Sequence, residues 1–502
     1  MKITLQRGKL EAFTSEVIVA FHFEGDEKLM RETEAIDKAS GGLISEVIQN
    51  EDFQGELYQP SLIYTKGTIP AKRILLIGLG KRSDFHLDRW RGVASKAAQF
   101  LRDRGVKEFS LCPYLRGEQK LSLEDSSQGL VEGIYLGLYQ FTEFKTEERE
   151  KIKEVERVNL VIPDEKRIPY IQKAVDAAEI ISKAVYLARD LVSQPGNRKT
   201  PSMLAQMAKD VAENSGLRCE VLTIDEMKKL GMGAILAVAS GSREPPQFIL
   251  LEYKPQRSGR DTVVVIGKAI TFDSGGLSLK PSENMDKMKH DMGGGAAAIG
   301  IMQAASQLKL PLHLVALIPT TENLPSGSAY RPGDILKSLS GKTIEVISTD
   351  AEGRLILADA LAYSHRFKPK AIIDLATLTG ACIIALGENV TGMMGNDEKL
   401  KARVERAANR TGEKVWELPL WEEYEEQIKS EVADIKNVGG RPAGTITGGV
   451  FLKKFVGEYP WVHLDIAGPV WADKDKPYIP KGATGVGVRL VVQLLREWEV
   501  SS

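Results

Sequence analysis

The sequence predicts an α/β protein in two domains: a smaller N-terminal α/β domain and a larger C-terminal domain with a mainly parallel, helix-covered sheet. Three observations predict this. The chain has 502 residues, more than the ~250–300 at which a single hydrophobic core stops growing. Short β-rich runs ended by glycine alternate with helical stretches, the pattern of a parallel sheet with helices on its faces. An alanine-rich helical pattern in between is long enough to join two domains. The divisions that follow are 1–167, a bridging helix over 168–192, and 193–502.

Each element has its own signal. Arg73-Ile74-Leu75-Leu76-Ile77-Gly78-Leu79-Gly80-Lys81 is a short apolar run closed by glycines, as in a buried strand, and Trp90 to Leu101 reads as the helix after it. Its Gly-x-Gly lacks the third glycine of a dinucleotide loop, because position 83 is Ser83, so it reads as a plain strand-to-helix turn. Asn159 to Asp164 is the last strand of the first domain. Between Pro169 and Val192, Ile171, Val175, Ala178, Ile181, Val185 and Leu191 recur at helical spacing, and Ser193-Gln194-Pro195-Gly196-Asn197 ends the helix. Beyond it, Val263 to Gly267, His313 to Ile318 and Ala371 to Asp374 are β-rich runs, each followed by a glycine-bearing loop and a helical stretch. In such sheets ligands bind beyond the carboxyl ends of the strands, so chemistry is sought there.

Composition narrows the class. Apolar residues make up 43% and charged residues 27%, which excludes a disordered or collagenous chain. Lys and Arg number 67 against 68 Asp and Glu, and residues 1–170 carry 26 against 28, so no basic field draws either domain to nucleic acid. Cys112, Cys219 and Cys382 stand singly, without the spacing of a disulfide framework or a zinc knot. No apolar run of ~7–15 residues follows the charged start, so secretion is not expected and the cytoplasm is. The longest apolar-leaning stretch, 371–387, is interrupted by Asp374 and falls short of the ~20 residues that span a bilayer.

Three clusters carry chemistry. Lys268-Ala269-Ile270-Thr271-Phe272-Asp273-Ser274-Gly275-Gly276, with Lys280, follows the Val263 run; Met288-Lys289-His290-Asp291 precedes Gly293-Gly294-Gly295; and Ser348-Thr349-Asp350-Ala351-Glu352-Gly353-Arg354-Leu355 follows the strand-like Thr343 to Ile347. Four acids in glycine-bound loops suit hard divalent cations, and one carboxylate can bridge two of them. If the chain stays extended, Asp350 and Glu352 point to one side. Lysines among these acids fit ordinary salt bridges equally well. His290 reads as a supporting or surface side chain, and no H-E-x-x-H is present. Gly341-Lys342-Thr343 is not a phosphate loop, since the glycine required five residues earlier is Leu336.

The wording of these clusters closely resembles the leucyl (cytosol) aminopeptidase family of two-metal exopeptidases. Asp374-Leu375-Ala376-Thr377-Leu378-Thr379-Gly380-Ala381, His463-Leu464-Asp465-Ile466-Ala467-Gly468 and Ala483 to Arg489 extend the match, with weaker likeness at Ala188 to Val192 and Arg73 to Lys81. The resemblance implies that 193–502 is the catalytic domain and that it holds two divalent ions. These would be Mn2+ or Zn2+, with Mg2+ and Co2+ also accepted by such ligands. Asp273 and Glu352 would bridge both ions, Asp350 would complete one site, and Lys268 with Asp291 the other. Lys268 would bind as a neutral amine. A metal-activated bridging water would attack, Lys280 would stabilise the oxyanion, and Arg354 would hold a bicarbonate that moves the proton. Met288, Thr377 and Gly380 would line the pocket for the N-terminal side chain, and the carbonyl of Leu378 would receive the amine.

The implied substrates are short peptides with leucine-like N-termini, and the implied assembly is a homohexamer, with no membrane partner. Two alternatives stay open: another di-metal hydrolase, an amidase or phosphoesterase, or an added DNA-binding role, against which the charge of the first domain argues. The chain departs from the family at three places. Ala269 stands where glycine is usual, which demands a negative φ or some strain; Ser348 stands for asparagine; and Pro469-Val470 replaces smaller residues.

Overall fold

A computed structural model describes residues 1–115, 121–255 and 261–498. Two compact units emerge, Met1–Lys183 with Lys474–Pro480, and Ala184–Asp473 with Lys481–Ser502. The helix Ile168–Ser193 runs across the division.

The first unit is built on a six-stranded sheet in the order Lys2–Arg7, Arg157–Ile162, Glu108–Leu111, Val17–His22, Arg73–Gly78, Pro60–Tyr64. All neighbours are parallel except the last pair. The helix Leu87–Asp103 packs against Leu123–Leu138, and the sequence shows why they approach so closely. Gly129, Gly133 and Gly137 recur every four residues on one face. A Cβ at Gly133 would lie 2.2 Å from the Arg91 carbonyl oxygen, and one at Gly137 1.9 Å from Ser95 Oγ. The buried Arg91 and Glu132 side chains pair at 2.7 Å beside this contact. The Gly78-Leu79-Gly80 turn serves chain packing, since a Cβ at Gly78 would meet the Glu56 carbonyl oxygen at 1.9 Å.

The second unit's main sheet runs Val415–Glu417, Thr391–Gly395, Trp461–Asp465, Ala371–Ala376, Thr262–Gly267, His313–Asn323, Gln247–Tyr253, Arg218–Leu222, with Ala269–Asp273 added beside His313–Asn323. Its four central strands are parallel. Antiparallel pairings appear toward both flanks, at Thr391–Gly395 and at Gln247–Tyr253, so the sheet is mixed at its margins. The central strands are buried on both faces: Val263 to Ile266 is an unbroken apolar run, and Ala371–Ala376 is interrupted only by the buried Asp374. Glu352–Ser364, Gly444–Val456 and Gly233–Ala239 share one apolar core with Val264, Ile266, Ile372 and Trp461. Gly293–Gln307 covers the other face, its Gly294 Cβ position only 2.0 Å from the Leu375 carbonyl oxygen.

Thr343–Glu345 is a strand, but shorter than its sequence suggests and outside the main sheet. It pairs with Ile335–Lys337 and Ile435–Lys436 in a separate three-stranded sheet. Gly341, at φ +86°, sits in the turn of that antiparallel pair, which is the structural role of the Gly341-Lys342-Thr343 segment.

Candidate active site

The acids and lysines singled out in the sequence come together at the carboxyl ends of the central strands. Lys268 directly follows the Thr262–Gly267 strand, and Asp273 ends the short strand after it. Asp291 closes the 3-10 turn Met285–His290, and Glu352 opens the helix Glu352–Ser364. Lys268 Nζ lies 2.8 Å from Asp291 Oδ1 and 2.9 Å from Glu352 Oε1, and donates to the Thr377 carbonyl at 2.8 Å. Lys280 Nζ lies 2.8 Å from Asp273 Oδ2 and 2.5 Å from Asp350 Oδ1. Oxygens of Asp273, Asp350 and Glu352 all fall within 4.8 Å of one another. Lys268, Asp273, Asp291 and Glu352 are buried, whereas Asp350 and Lys280 open toward solvent.

The backbone is shaped to deliver these groups. Gly275, at φ +87°, adopts a left-handed turn that an L side chain resists, and its N–H donates to Asp273 Oδ1 at 2.9 Å. Gly353 leaves room for Lys268, whose Nζ lies 2.6 Å from where a Cβ would stand.

Comparison with known proteins then decides the family. The description "Cytosol aminopeptidase family, catalytic domain" matches residues 186–492, and the corresponding N-terminal domain matches 17–148. A probable cytosol aminopeptidase of Geotalea uraniireducens (strain Rf4) is 50% identical over 465 residues, 92% of each chain. The chain belongs to the cytosol aminopeptidase family. Among solved structures, a variant of tomato leucine aminopeptidase superposes with a TM-score of 0.88 at 34% identity, covering 99% of this chain and 97% of that one. The bottromycin maturation enzyme BotP in complex with Mn gives 0.85 at 32% identity, covering 96% and 99%. The chain is therefore an α/β metallo-exopeptidase that removes N-terminal residues and depends on divalent metal.

The aminopeptidase residues in hand fit such ions. Asp291 Oδ2 and Glu352 Oε2 are buried oxygens with no hydrogen-bond partner, a costly state that a cation relieves. The donor set is mainly hard carboxylate oxygen, which divalent cations prefer. Electrostatics reflects the crowding. Burial raises the pKa of Asp291 well above the usual carboxylate value, opposed by Lys268 and reinforced by Glu352 and Asp273. Glu352 and Asp350 are also raised, first by burial. Burial works against the Lys268 ammonium, but Asp291, Glu352 and Asp273 outweigh it and raise its pKa; Lys280 is raised in the same way by Asp273, Glu352 and Asp350. Arg354 is pulled down to about 10 by burial, with Glu352 and Asp465 opposing. Its Nη1 donates to the Asn437 carbonyl at 2.8 Å, while its buried Nε has no partner.

The residues expected around the substrate are less uniformly placed. Thr377 is buried and its hydroxyl donates to Asp291 Oδ1 at 2.7 Å. Leu378 is half-buried with its N–H on Asp465 Oδ1, Met288 is half-buried, and Gly380 is exposed with no atom within 4 Å of its Cβ position. His290 packs near Trp471, ring centroids 6.0 Å apart, and burial with nearby Lys199 lowers its pKa to about 4.

Sequence reasoning missed two polar residues. Asn323, at the end of His313–Asn323, donates to Asp273 Oδ1 at 2.8 Å and to the Thr349 carbonyl at 3.0 Å. Tyr330 donates to the same carbonyl at 2.7 Å. Neither lies in a glycine-rich cluster, and only the strand ending beside Asp273 would have pointed to Asn323. The departures from the family are accommodated. Ala269 is fully buried in a strand and is not among the residues with positive φ. Ser348 accepts the Asp350 N–H at 3.2 Å, and Val470 is buried.

Proposed function

We propose that this aminopeptidase releases leucine-like N-terminal residues from short peptides, using two Mn2+ or Zn2+ ions held by Lys268, Asp273, Asp291, Asp350 and Glu352. The observation that carries the reading is the convergence of Asp273, Asp350 and Glu352 within 4.8 Å beside the Lys268–Asp291 pair. When bound, the two cations supply Lewis acidity to the scissile carbonyl and acidify a water, and a bicarbonate supplies a proton acceptor. Arg354 offers that anion its unpaired Nε in a buried position beside Gly448. Lys280, tethered by Asp273 and Asp350, presents an ammonium toward the developing oxyanion. Lys268 must give up its proton to act as a ligand, which only nearby cations make favourable. Met288, Thr377 and Gly380 form the pocket for the first side chain, with the Leu378 carbonyl taking the α-amine. A half-buried methionine suits leucine- or methionine-sized groups because it is flexible and polarisable.

The same reading includes a homohexamer working in the cytoplasm on peptides. Among the described residues no helix is long and apolar enough to cross a membrane. The deciding experiment is hydrolysis of Leu-p-nitroanilide by chelated enzyme, before and after adding back Mn2+ or Zn2+, beside Glu352→Ala. Activity should vanish on chelation, return with metal in the wild type and stay absent in the variant. N-acetyl-Leu-p-nitroanilide should resist cleavage. Its hydrolysis at the free-amine rate would instead mark a general di-metal amidase.

A further inference from the structure

Within the apolar core under the site lies a row of polar side chains to which the reaction assigns no role. Trp461, His463 and Asp465 alternate along one strand and point to one face, beside Asp374 on the neighbouring strand. All four are completely buried. Trp461 Nε1 donates to Asp374 Oδ2 at 2.6 Å, and Asp374 Oδ1 meets His463 Nδ1 at 2.5 Å. Burial lowers the His463 pKa, but Asp374 and, less strongly, Asp465 outweigh it and raise it; Asp465 likewise opposes the lowering of Arg354 by burial. A fully buried carboxylate needs several donors as well. Asp465 has them, and they lie in the segments that follow its own strand and the next one. Its Oδ1 accepts the N–H of Leu378 and of Ala467, each at 3.1 Å, and its Oδ2 accepts the Thr379 hydroxyl at 2.7 Å.

The turn so held, Thr377 to Gly380, faces the metal-binding cluster on its other side. The Thr377 carbonyl accepts from Lys268 Nζ, and the Thr377 hydroxyl donates to Asp291 Oδ1. Thr379 Oγ1 also accepts the Cys382 N–H at 3.1 Å, capping the helix Gly380–Leu386. One buried carboxylate thus fixes a turn whose first residue touches two of the five ligands proposed above. We infer that Asp465 is a positioning residue: through the Thr377–Gly380 turn it sets Lys268 and Asp291 for one of the two metal ions, and aligns the pocket for the substrate's first side chain. This rests on the ligand set proposed above.

The carboxylate's shape, rather than its charge, does the holding, and this separates the inference from a general role in stability. In Asp465→Asn the remaining oxygen still accepts from Leu378 and Ala467. Its amide donates to Thr379 Oγ1, whose own proton then turns to Thr445 Oγ1, 3.0 Å away. Asp465→Ala loses all three bonds, and Thr379→Val loses the hydroxyl link while keeping the fold's apolar volume. The test is calorimetric titration of MnCl2 into chelated, full-length protein, together with KM and kcat for Leu- and Ala-p-nitroanilide. Outer partners of metal ligands are worth about 10–100-fold in affinity. Asp465→Ala and Thr379→Val should therefore weaken one of the two Mn2+ sites about 10-fold or more and raise KM for Leu-p-nitroanilide more than they lower kcat. Asp465→Asn should stay within about threefold of wild type in both measurements. If Asp465→Ala does not fold, Thr379→Val against Asp465→Asn carries the same comparison. Wild-type Mn2+ affinity and KM in Thr379→Val and Asp465→Ala, with only a lowered melting temperature, would overturn the inference. Glu352→Ala separates the two failures: if it also binds Mn2+ normally, the ligand set is wrong; if it loses Mn2+ while the Asp465 and Thr379 variants do not, the positioning role alone is wrong.

Discussion

Substituting Gly353 by alanine tests whether the placement of Lys268 governs activity. A Cβ at Gly353 would stand 2.6 Å from both Cε and Nζ of Lys268 and 2.8 Å from its Cδ. Restoring a contact of about 3.4 Å requires Lys268 to retreat by about 0.8 Å. Elsewhere a lysine end would swing aside at little cost. Here Nζ is held in a buried site by Asp291, Glu352 and the Thr377 carbonyl, so a retreat disturbs all three contacts together. For stability, overpacking costs about 1–3 kcal/mol, while replacing a helical glycine by alanine returns up to about 1 kcal/mol. The net is a loss of at most about 3 kcal/mol and a melting temperature lower by a few degrees. Catalysis is far more sensitive, since a misplacement near 1 Å costs about 100-fold. The expected result is kcat/KM for Leu-p-nitroanilide down about 100-fold in a folded protein. Gly380→Ala is the steric control: nothing lies within 4 Å of its Cβ position, so it should melt no lower than wild type. A Gly353→Ala enzyme within threefold of wild-type kcat/KM would refute the reasoning.

Three further outcomes follow from the same structure. Lys280→Met removes the ammonium between Asp273 and Asp350, and kcat should fall about 10²–10³-fold with little change in KM, as for loss of an oxyanion donor; a change confined to KM would remove Lys280 from that role. Burial lifts the Asp359 carboxyl to about 7, against the downward pull of the Leu339, Ile235 and Ala234 N–H groups. The folded state therefore holds this proton more tightly than the unfolded chain. That contribution is complete below the ordinary carboxylate pKa of about 4 and is lost as pH rises through about 7. Asp359→Asn cannot ionise, so its melting temperature relative to wild type should climb between pH 5 and pH 8, and a pH-independent difference would contradict this. Gly133→Ala sets a Cβ 2.2 Å from the Arg91 carbonyl, which is backbone and cannot swing away. It should destabilise the first unit by about 1–3 kcal/mol, seen as an earlier melting transition with the kinetic constants of the remaining folded enzyme unchanged.

Much of this was legible in the amino-acid order, because the elements announce themselves locally. Apolar runs closed by glycine at Arg73–Gly78 and Thr262–Gly267 are strands, and the periodic alanine-rich stretch is the helix Ile168–Ser193. The charged residues of the site stood out for a different reason: their spacing alone fits salt bridges as well as metal ions, and it is the wording of their glycine-bound loops that resembles a known family. What escaped notice depends on contacts between distant segments. Asn323 touches Asp273 only because two strands end together, and apart from the strand that ends there no sequence signal marks it. Asp465 lies in a motif noted from sequence, yet its partners at 378 and 379 become visible only once two parallel strands lie side by side. The antiparallel flanks of the main sheet escaped too, since hydrophobic periodicity carries no strand direction.

The departures from the family pattern matter most where three glycines open the helix Gly293–Gln307, and there the packing explains why they are tolerated. Each glycine yields to a different neighbour. A Cβ at Gly294 would lie 2.0 Å from the Leu375 carbonyl oxygen, one at Gly293 2.5 Å from Val470 Cγ2, and one at Gly295 2.7 Å from Ala269 Cβ. Ala269 and Val470, two of the residues larger than the resemblance leads one to expect, thus fill the space that Gly295 and Gly293 leave. Gly294 answers to backbone and has no such latitude. The Gly295 N–H donates to the Lys268 carbonyl at 2.7 Å, which locks this helix start to the residue carrying the proposed metal-binding amine. The glycine at 295 thus leaves the room that the Ala269 methyl occupies, next to Lys268. Ala269→Gly should leave kcat/KM within about threefold of wild type, whereas Gly295→Ala crowds Ala269, pushes the helix away and should cost about 1–3 kcal/mol of stability together with most of the activity. In the double variant Ala269→Gly/Gly295→Ala the clash with Ala269 is gone, and recovery should extend as far as Ile318 Cγ2, 3.0 Å from the same Cβ position, allows. Failure of the double variant to recover any stability over Gly295→Ala would show that the two positions are not coupled.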